Sequence, residues 1–286
     1  MRKGELMHIA GLQKLSLVDY PGVLAATVFV PGCDFRCPFC HNGSLVIGRA
    51  AAAGAAAGGA AGGASGTSSA HGAPCVANPR PSCAADGGMS GADAGFPSVG
   101  EDAFWAFLDK RRGVLQGVCI TGGEPLLRSD LPDFCARIKD RGYRVKLDTN
   151  GVHPQRLAAL LDAGLIDYAA MDVKSSWRRY AEAAGLRADA APAAVRAVRE
   201  SARMLMEGSV PYEFRTTVVR ELHDAECLEA MADALCGARA WYLQRYVDSP
   251  NVLAGQGRLS AYDEAEMARI AERLAERAPF VRLRGV

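Results

Sequence analysis

The chain has 286 residues, 33 Lys and Arg against 32 Asp and Glu, a formal charge of +1 and 49% hydrophobic residues. This length suits one large core or two modest ones, and the charge balance removes the electrostatic case for nucleic acid, whose binders carry a basic excess. The charged start Met1-Arg-Lys-Gly-Glu leads into no apolar signal core, and outside an Ala/Gly tract no segment approaches a membrane span.

In chain order, Asp19-Tyr-Pro-Gly22 predicts a turn, and Leu24 to Val30 a buried strand that Pro31-Gly32 ends. Directly beyond comes Cys33-Asp-Phe-Arg-Cys37-Pro-Phe-Cys40-His41-Asn42, a C-x3-C-x2-C run. The loop starts at a strand's C-terminal end, where parallel α/β sheets carry their ligands. Three thiolates on a cubane [4Fe–4S] cluster would leave one iron open to a group that is not protein. A zinc site more often pairs two C-x2-C units, and a disulfide framework needs an oxidising compartment. Nine cysteines in a chain read as cytoplasmic argue for metal or reduced thiols. A chance cluster of buried cysteines is the bland alternative. Phe39, beside the last cysteine, suits packing against the sheet.

Residues 50–64 are only Ala and Gly, and a Ser-, Thr- and Pro-containing stretch with Cys75 and Cys83 follows. Such composition cannot bury enough side-chain area to offset backbone ordering, so 49–99 is predicted to be a disordered insertion. A second metal site on Cys75 and Cys83 is the alternative. Folded sequence resumes with a helix over 101–112 and a strand over 117–120, leading to Thr121-Gly-Gly-Glu-Pro125. Gly122 and Gly123 let backbone approach a ligand, and Glu124 offers a carboxylate.

A helix over 131–139 and a strand over 143–147 deliver Asp148-Thr-Asn150-Gly151. A helix over 154–161 and a strand over 166–171 deliver Asp172-Val-Lys174. Asp148 and Asp172 equally suit helix capping. Helices over 175–187 and 192–206 precede a strand over 212–219. Arg215 inside that apolar run needs a partner, and the neighbourhood of Glu213 offers one. A helix over 224–235, a strand over 240–247 and a helix over 263–278 complete the chain, with Cys119, Cys135, Cys227 and Cys236 read as packing residues. Strands and helices alternating at this spacing predict an α/β fold with a parallel sheet, a partial and open (β/α)6 barrel. Residues 1–48 would carry the first strand and cysteine loop, 100–255 the remainder, and 256–286 a C-terminal helical extension. No Ser-His-Asp or H-E-x-x-H pattern is present.

The cysteine run with His41-Asn42, together with Gly122-Gly123-Glu124-Pro125, Asp148-Thr-Asn-Gly151 and Met171-Asp-Val-Lys174, resembles the radical S-adenosylmethionine (SAM) enzymes. More narrowly it resembles those that activate glycyl-radical enzymes, in particular the activating proteins of anaerobic ribonucleoside-triphosphate reductase. The likeness runs over residues 8–47 and 100–255. The cysteine-rich pattern that some activators carry between those stretches is missing here.

The resemblance implies a [4Fe–4S] cluster on Cys33, Cys37 and Cys40, with SAM chelating the open iron. It puts Phe39 against the adenine and Gly122, Gly123 and Glu124 around the methionyl amino group. Asp148, Asn150, Asp172, Lys174 and Arg215 would line the rest of the SAM pocket. Reductive cleavage of SAM would yield a 5′-deoxyadenosyl radical that takes hydrogen from a glycine of a partner protein, with no side chain acting as catalytic acid, base or nucleophile. The implied partners are a glycyl-radical enzyme and a reduced flavodoxin or ferredoxin-like donor. A radical SAM enzyme of a small molecule or nucleoside, and a metal-stabilised binding module without turnover, are the rival readings.

Overall fold

The computed structural model describes residues 7–47 and 98–285. The predicted insertion, with Cys75 and Cys83, lies outside the described residues apart from its last two positions. Of these, Val99 bridges antiparallel to Ile9, its N–H donating to the Ile9 carbonyl at 3.1 Å.

Eight strands form one sheet in sequential order: β1 (Gly11–Ser16), β2 (Ala25–Val30), β3 (Gly117–Gly122), β4 (Arg144–Thr149), β5 (Tyr168–Asp172), β6 (Tyr212–Val218), β7 (Trp241–Arg245) and β8 (Val281–Arg284). β2 to β8 are parallel, and β1 runs antiparallel along β2 with a register shift between Gln13 and Ser16. The sheet curls into an open barrel: β1 and β8 are its ends, and no ladder joins them among the described residues. The six predicted strands are β2 to β7. The two edge strands were not predicted, because β1 mixes polar and apolar positions and β8 spans four residues.

The helices are α1 (Gly43–Ile47), α2 (Glu101–Asp109), α3 (Leu131–Lys139), α4 (Pro154–Asp162), α5 (Tyr180–Ala184), α6 (Ala191–Glu207), α7 (Ala225–Ala234) and α8 (Glu264–Ala275). Their starts follow local chemistry. Proline opens α3, α4 and α6 within the first two positions, Asp224 caps α7, and Asp263 with Glu266 forms a capping box on α8. The helix predicted over 175–187 shrinks to α5. Ser175 and Ser176 are buried instead, with their hydroxyls at the Cys227 thiol, so tertiary contacts replace helix there. The C-terminal segment also departs from a purely helical extension, since it supplies β8 and so belongs to the sheet.

Side chains alternate across each strand. One face packs Val28, Ile120, Leu147, Phe214 and Leu243 into the apolar core under the helices. The other face turns Thr27, Thr121, Asp148, Asp172, Arg215 and Gln244 into the barrel. At the floor, Glu213 accepts two hydrogen bonds from the Arg284 guanidinium at 2.7 Å each and one from the Tyr168 hydroxyl at 3.0 Å. Arg215 is thus not paired with Glu213, whose partner comes from β8.

Gly185 ends α5 in the left-handed region (φ 60°), and a Cβ there would lie 2.1 Å from the carbonyl oxygen of Arg36 in the cysteine loop. Backbone strain and overpacking together predict that Gly185→Ala loses at least about 2 kcal/mol. Urea melts check this, and a variant as stable as the wild type would mean that the loop and α5 do not meet so closely.

Candidate active site

The three cysteines sit on the loop between β2 and α1, at the C-terminal rim of the barrel. Four backbone clamps hold that loop. Arg36 N–H donates to the Ala184 carbonyl at 2.9 Å, Glu124 N–H to Gly32 at 2.6 Å, Leu253 N–H to Cys40 at 3.0 Å and Ala254 N–H to Pro38 at 2.9 Å. The last two come from the segment after β7, which sequence reasoning had not tied to the site. A further strap joins Asp34 to His153, at 2.8 Å.

Cys33, Cys37 and Cys40 all line one cavity of about 310 Å³. Burial pushes the Cys33 thiol up to about 11 and the Cys37 thiol up to about 12. Free thiols here therefore keep their protons at neutral pH, and a metal has to displace them. The Phe35 N–H and the Asn150 amide approach the Cys33 sulfur at 3.4 and 3.7 Å and favour its anionic form.

Facing the loop across the cavity are the other predicted residues except Phe39, which lies on the loop itself between Cys37 and Cys40. Phe39, Gly122, Gly123, Asp148, Asn150, Asp172, Lys174 and Arg215 line the same cavity as the cysteines. Gly123 passes so close to the cysteine loop that a Cβ would fall 1.8 Å from the Gly32 oxygen. Asn42 ties the two walls, its amide donating to the Gly122 carbonyl at 3.0 Å. Phe39 is 4% exposed and packs edge-on against His223, with ring centroids 6.2 Å apart, so it serves packing and lines the cavity together.

Glu124 stands elsewhere. Fully buried behind the rim, it accepts hydrogen bonds from Leu126 N–H at 3.0 Å, Thr149 hydroxyl at 2.8 Å and Asn150 N–H at 2.7 Å. It braces the turn whose Asn150 amide touches Cys33, and its carboxylate is spent on that task.

Asp148 and Asp172 do not cap helices. Arg215 donates from Nη1 to Asp148 at 2.9 Å and from Nε to Asp172 at 2.8 Å. Lys146 bonds the other oxygen of Asp148, and Lys174 the other oxygen of Asp172 at 2.9 Å. Burial disfavours both carboxylates, yet Arg215 with Lys146 holds Asp148 below the usual range, and Arg215 with Lys174 does the same for Asp172. Lys146 escaped the sequence analysis, although strand alternation puts it on the face of Asp148. Asp19, Thr217 and Gln244 also line the cavity and were not singled out.

The family model for the radical SAM superfamily matches residues 90–234, just over half of the chain. The chain belongs to the radical SAM superfamily. The match lies C-terminal to the three cysteines, which the fold brings back to it. A Methanocaldococcus jannaschii protein named "putative glycyl-radical enzyme activating enzyme" is 26% identical over 239 residues, covering 83% of this chain and 79% of its own. Among solved structures, a radical SAM methyltransferase from Sphaerobacter thermophilus superposes with a TM-score of 0.55 at 15% identity, over 95% of this chain and 68% of its own. Streptococcus suis SuiB, solved with its precursor peptide SuiA, gives 0.55 at 15% identity, over 92% of this chain and 50% of its own. At such identities the structures speak for the fold.

Radical SAM enzymes use a [4Fe–4S] cluster and SAM. The donor set here fits those groups. Three thiols of one loop face a single cavity whose far wall offers close backbone at Gly122-Gly123 and the cations Lys174 and Arg215.

Burial raises Glu124 from 4.5 to about 7 despite its three donors. An acid raised in this way binds its proton more tightly when folded. Its stabilising contribution is therefore largest at low pH, declines as pH rises from about 4.5 to about 7, and is constant above. Glu124→Gln removes that titration, so the stability gap between variant and wild type should change across this window and level off above it. Paired urea melts over the range measure the gap, and a flat gap would assign the titration to another group.

Proposed function

We propose that this radical SAM enzyme is an activase that generates a glycyl radical on a partner protein, anaerobic ribonucleoside-triphosphate reductase being the first candidate. The observation that carries the reading is the 26% identity to the Methanocaldococcus protein, which extends over 239 residues, 83% of the chain. An open barrel supports it, because the unpaired edges β1 and β8 leave a lateral way in for a polypeptide loop. When bound, the cluster supplies the electron that cleaves SAM, and SAM supplies the hydrogen-abstracting radical.

The chain's own residues position and shield. Cys33, Cys37 and Cys40 hold the cluster as thiolates, and Asn150 steadies Cys33. Lys174 and Arg215 present the charge that suits the SAM carboxylate, and Gly122 and Gly123 present backbone carbonyls to its ammonium. Phe39 offers an apolar wall for the adenine. Asp148 and Asp172 set the charge of the wall through the cations they engage. No side chain takes or gives a proton in this scheme. Low-potential electrons come from a flavodoxin or ferredoxin-like donor. No helix of the described residues is long and apolar enough to cross a membrane.

Replacing any one of Cys33, Cys37 and Cys40 by Ala should abolish SAM cleavage and sharply lower iron and sulfide content after anaerobic reconstitution. Retention of both in a single variant would remove that cysteine from the ligand set. The activase reading is tested by mixing the reconstituted, reduced protein and SAM with the reductase of the same organism. The glycyl-radical doublet should appear in the electron paramagnetic resonance spectrum. SAM cleavage without a doublet would exclude this partner and leave other glycyl-radical enzymes to be tried. Replacement of 49–97 by a short Gly/Ser linker should leave cluster content and SAM cleavage within about twofold, since composition assigns no core to the insertion. Loss of cluster iron in that variant would bring Cys75 or Cys83 into the metal chemistry.

A further inference from the structure

We propose that Lys146 is a positioning residue of the SAM site, acting through Asp148 and Arg215 to leave the chain of charges that ends at the cavity with a net positive charge. The proposal rests on family membership for the cofactor and on geometry for the rest, so it stands whether or not the partner is a glycyl-radical enzyme.

Lys146 is 1% exposed, below the cavity and not among its lining residues. A lysine this deep costs desolvation, and an apolar side chain of similar volume would ordinarily serve the fold as well or better. Its ammonium is bonded to one oxygen of Asp148, with the Cys119 sulfur 3.8 Å away. From there the charges alternate up the wall: Lys146, Asp148, Arg215, Asp172, Lys174. Three cations enclose two carboxylates, each carboxylate bridges two cations, and these five groups sum to +1; Asp19, which also lines the cavity, is bonded to the Thr27 hydroxyl and lies outside the chain. Glu213 also acts on Arg215 and Lys146, but Arg284 of β8 is bonded to it, so the pair leaves the sum unchanged.

Arg215 is divided between Asp148 and Asp172 because Lys146 satisfies the remaining oxygen of Asp148. Without Lys146 the planar guanidinium can turn both of its donors onto Asp148, the geometry that arginine and carboxylate prefer. Asp172 is then left to Lys174 alone and neutralises it. The same step lowers the charge of the chain from +1 to zero. Lys146 touches no cofactor, and its influence reaches the cavity through the arrangement of Arg215 and Lys174.

The test is equilibrium titration of SAM into anaerobically reconstituted wild type, Lys146→Met, Asp148→Asn and the double variant, at matched iron content, with urea melts on each. Lys146→Met should weaken SAM binding about tenfold, a change that a purely structural lysine would not produce in a protein of unaltered fold. In the Asp148→Asn background the same substitution should have little further effect, because its route is gone. Lys146→Arg, which keeps the charge, should bind within about threefold of wild type, and Lys146→Gln stands in for the methionine variant should that fail to fold. Unchanged SAM affinity in Lys146→Met, equal effects of Lys146→Met with and without Asp148, or a folded Lys146→Arg that binds as poorly as Lys146→Met would each overturn the proposal.

Discussion

Two carboxylates inside a barrel can stay ionised only if cations meet them there. Asp148 and Asp172 are met from three elements: Lys146 on the same strand, Arg215 across β5 and β6, and Lys174 just past β5. Breaking such a set by removing one member leaves an uncompensated buried charge, which is far more costly than exchanging the whole set for apolar groups. The strands are therefore bound to this register. A one-residue slip of β6 would send Arg215 into the apolar layer and strand both carboxylates. The charge chain thus links register to the polarity of the cavity wall.

The cysteine loop depends on a different constraint, close approach of backbone. It is threaded between Gly123, where even a methyl group would collide with Gly32, and Gly185, where one would collide with Arg36. Glu124 reinforces the arrangement from behind by holding Asn150, so the turn after β4 and the loop after β2 move together. The residues after β7 close the ring by donating to Cys40 and Pro38. Thiols that sequence places within eight residues are in this way presented to a wall drawn from β3, β4, β5 and β6.

Much of this was legible in the chain itself. The helix over 131–139 coincides with α3, and the strands from β2 to β7 were each found, because an apolar run bounded by turn residues is a local signal. The cysteine spacing and the Gly122-Gly123 turn are local too. Less legible were β1 and β8, which are strands through their neighbours more than through their own pattern. The region after Lys174 read as helix from its polarity, yet Ser175 and Ser176 are held by Cys227 from a distant helix.

The sequence by itself determined the loop of three thiols, the barrel type and the set of polar residues at strand ends, since each follows from spacing, periodicity or a turn within a few residues. Only the tertiary structure decided who partners whom. Arg215 took Asp148 and Asp172 instead of Glu213, Glu124 turned inward to brace Asn150, and Lys146 became the hidden end of a charge chain. Those choices are made between residues 25 to 71 positions apart, or between neighbours whose shared face is defined only by the sheet. Charge pairing depends on distance and desolvation in the folded barrel, and neither quantity exists until the strands are in register.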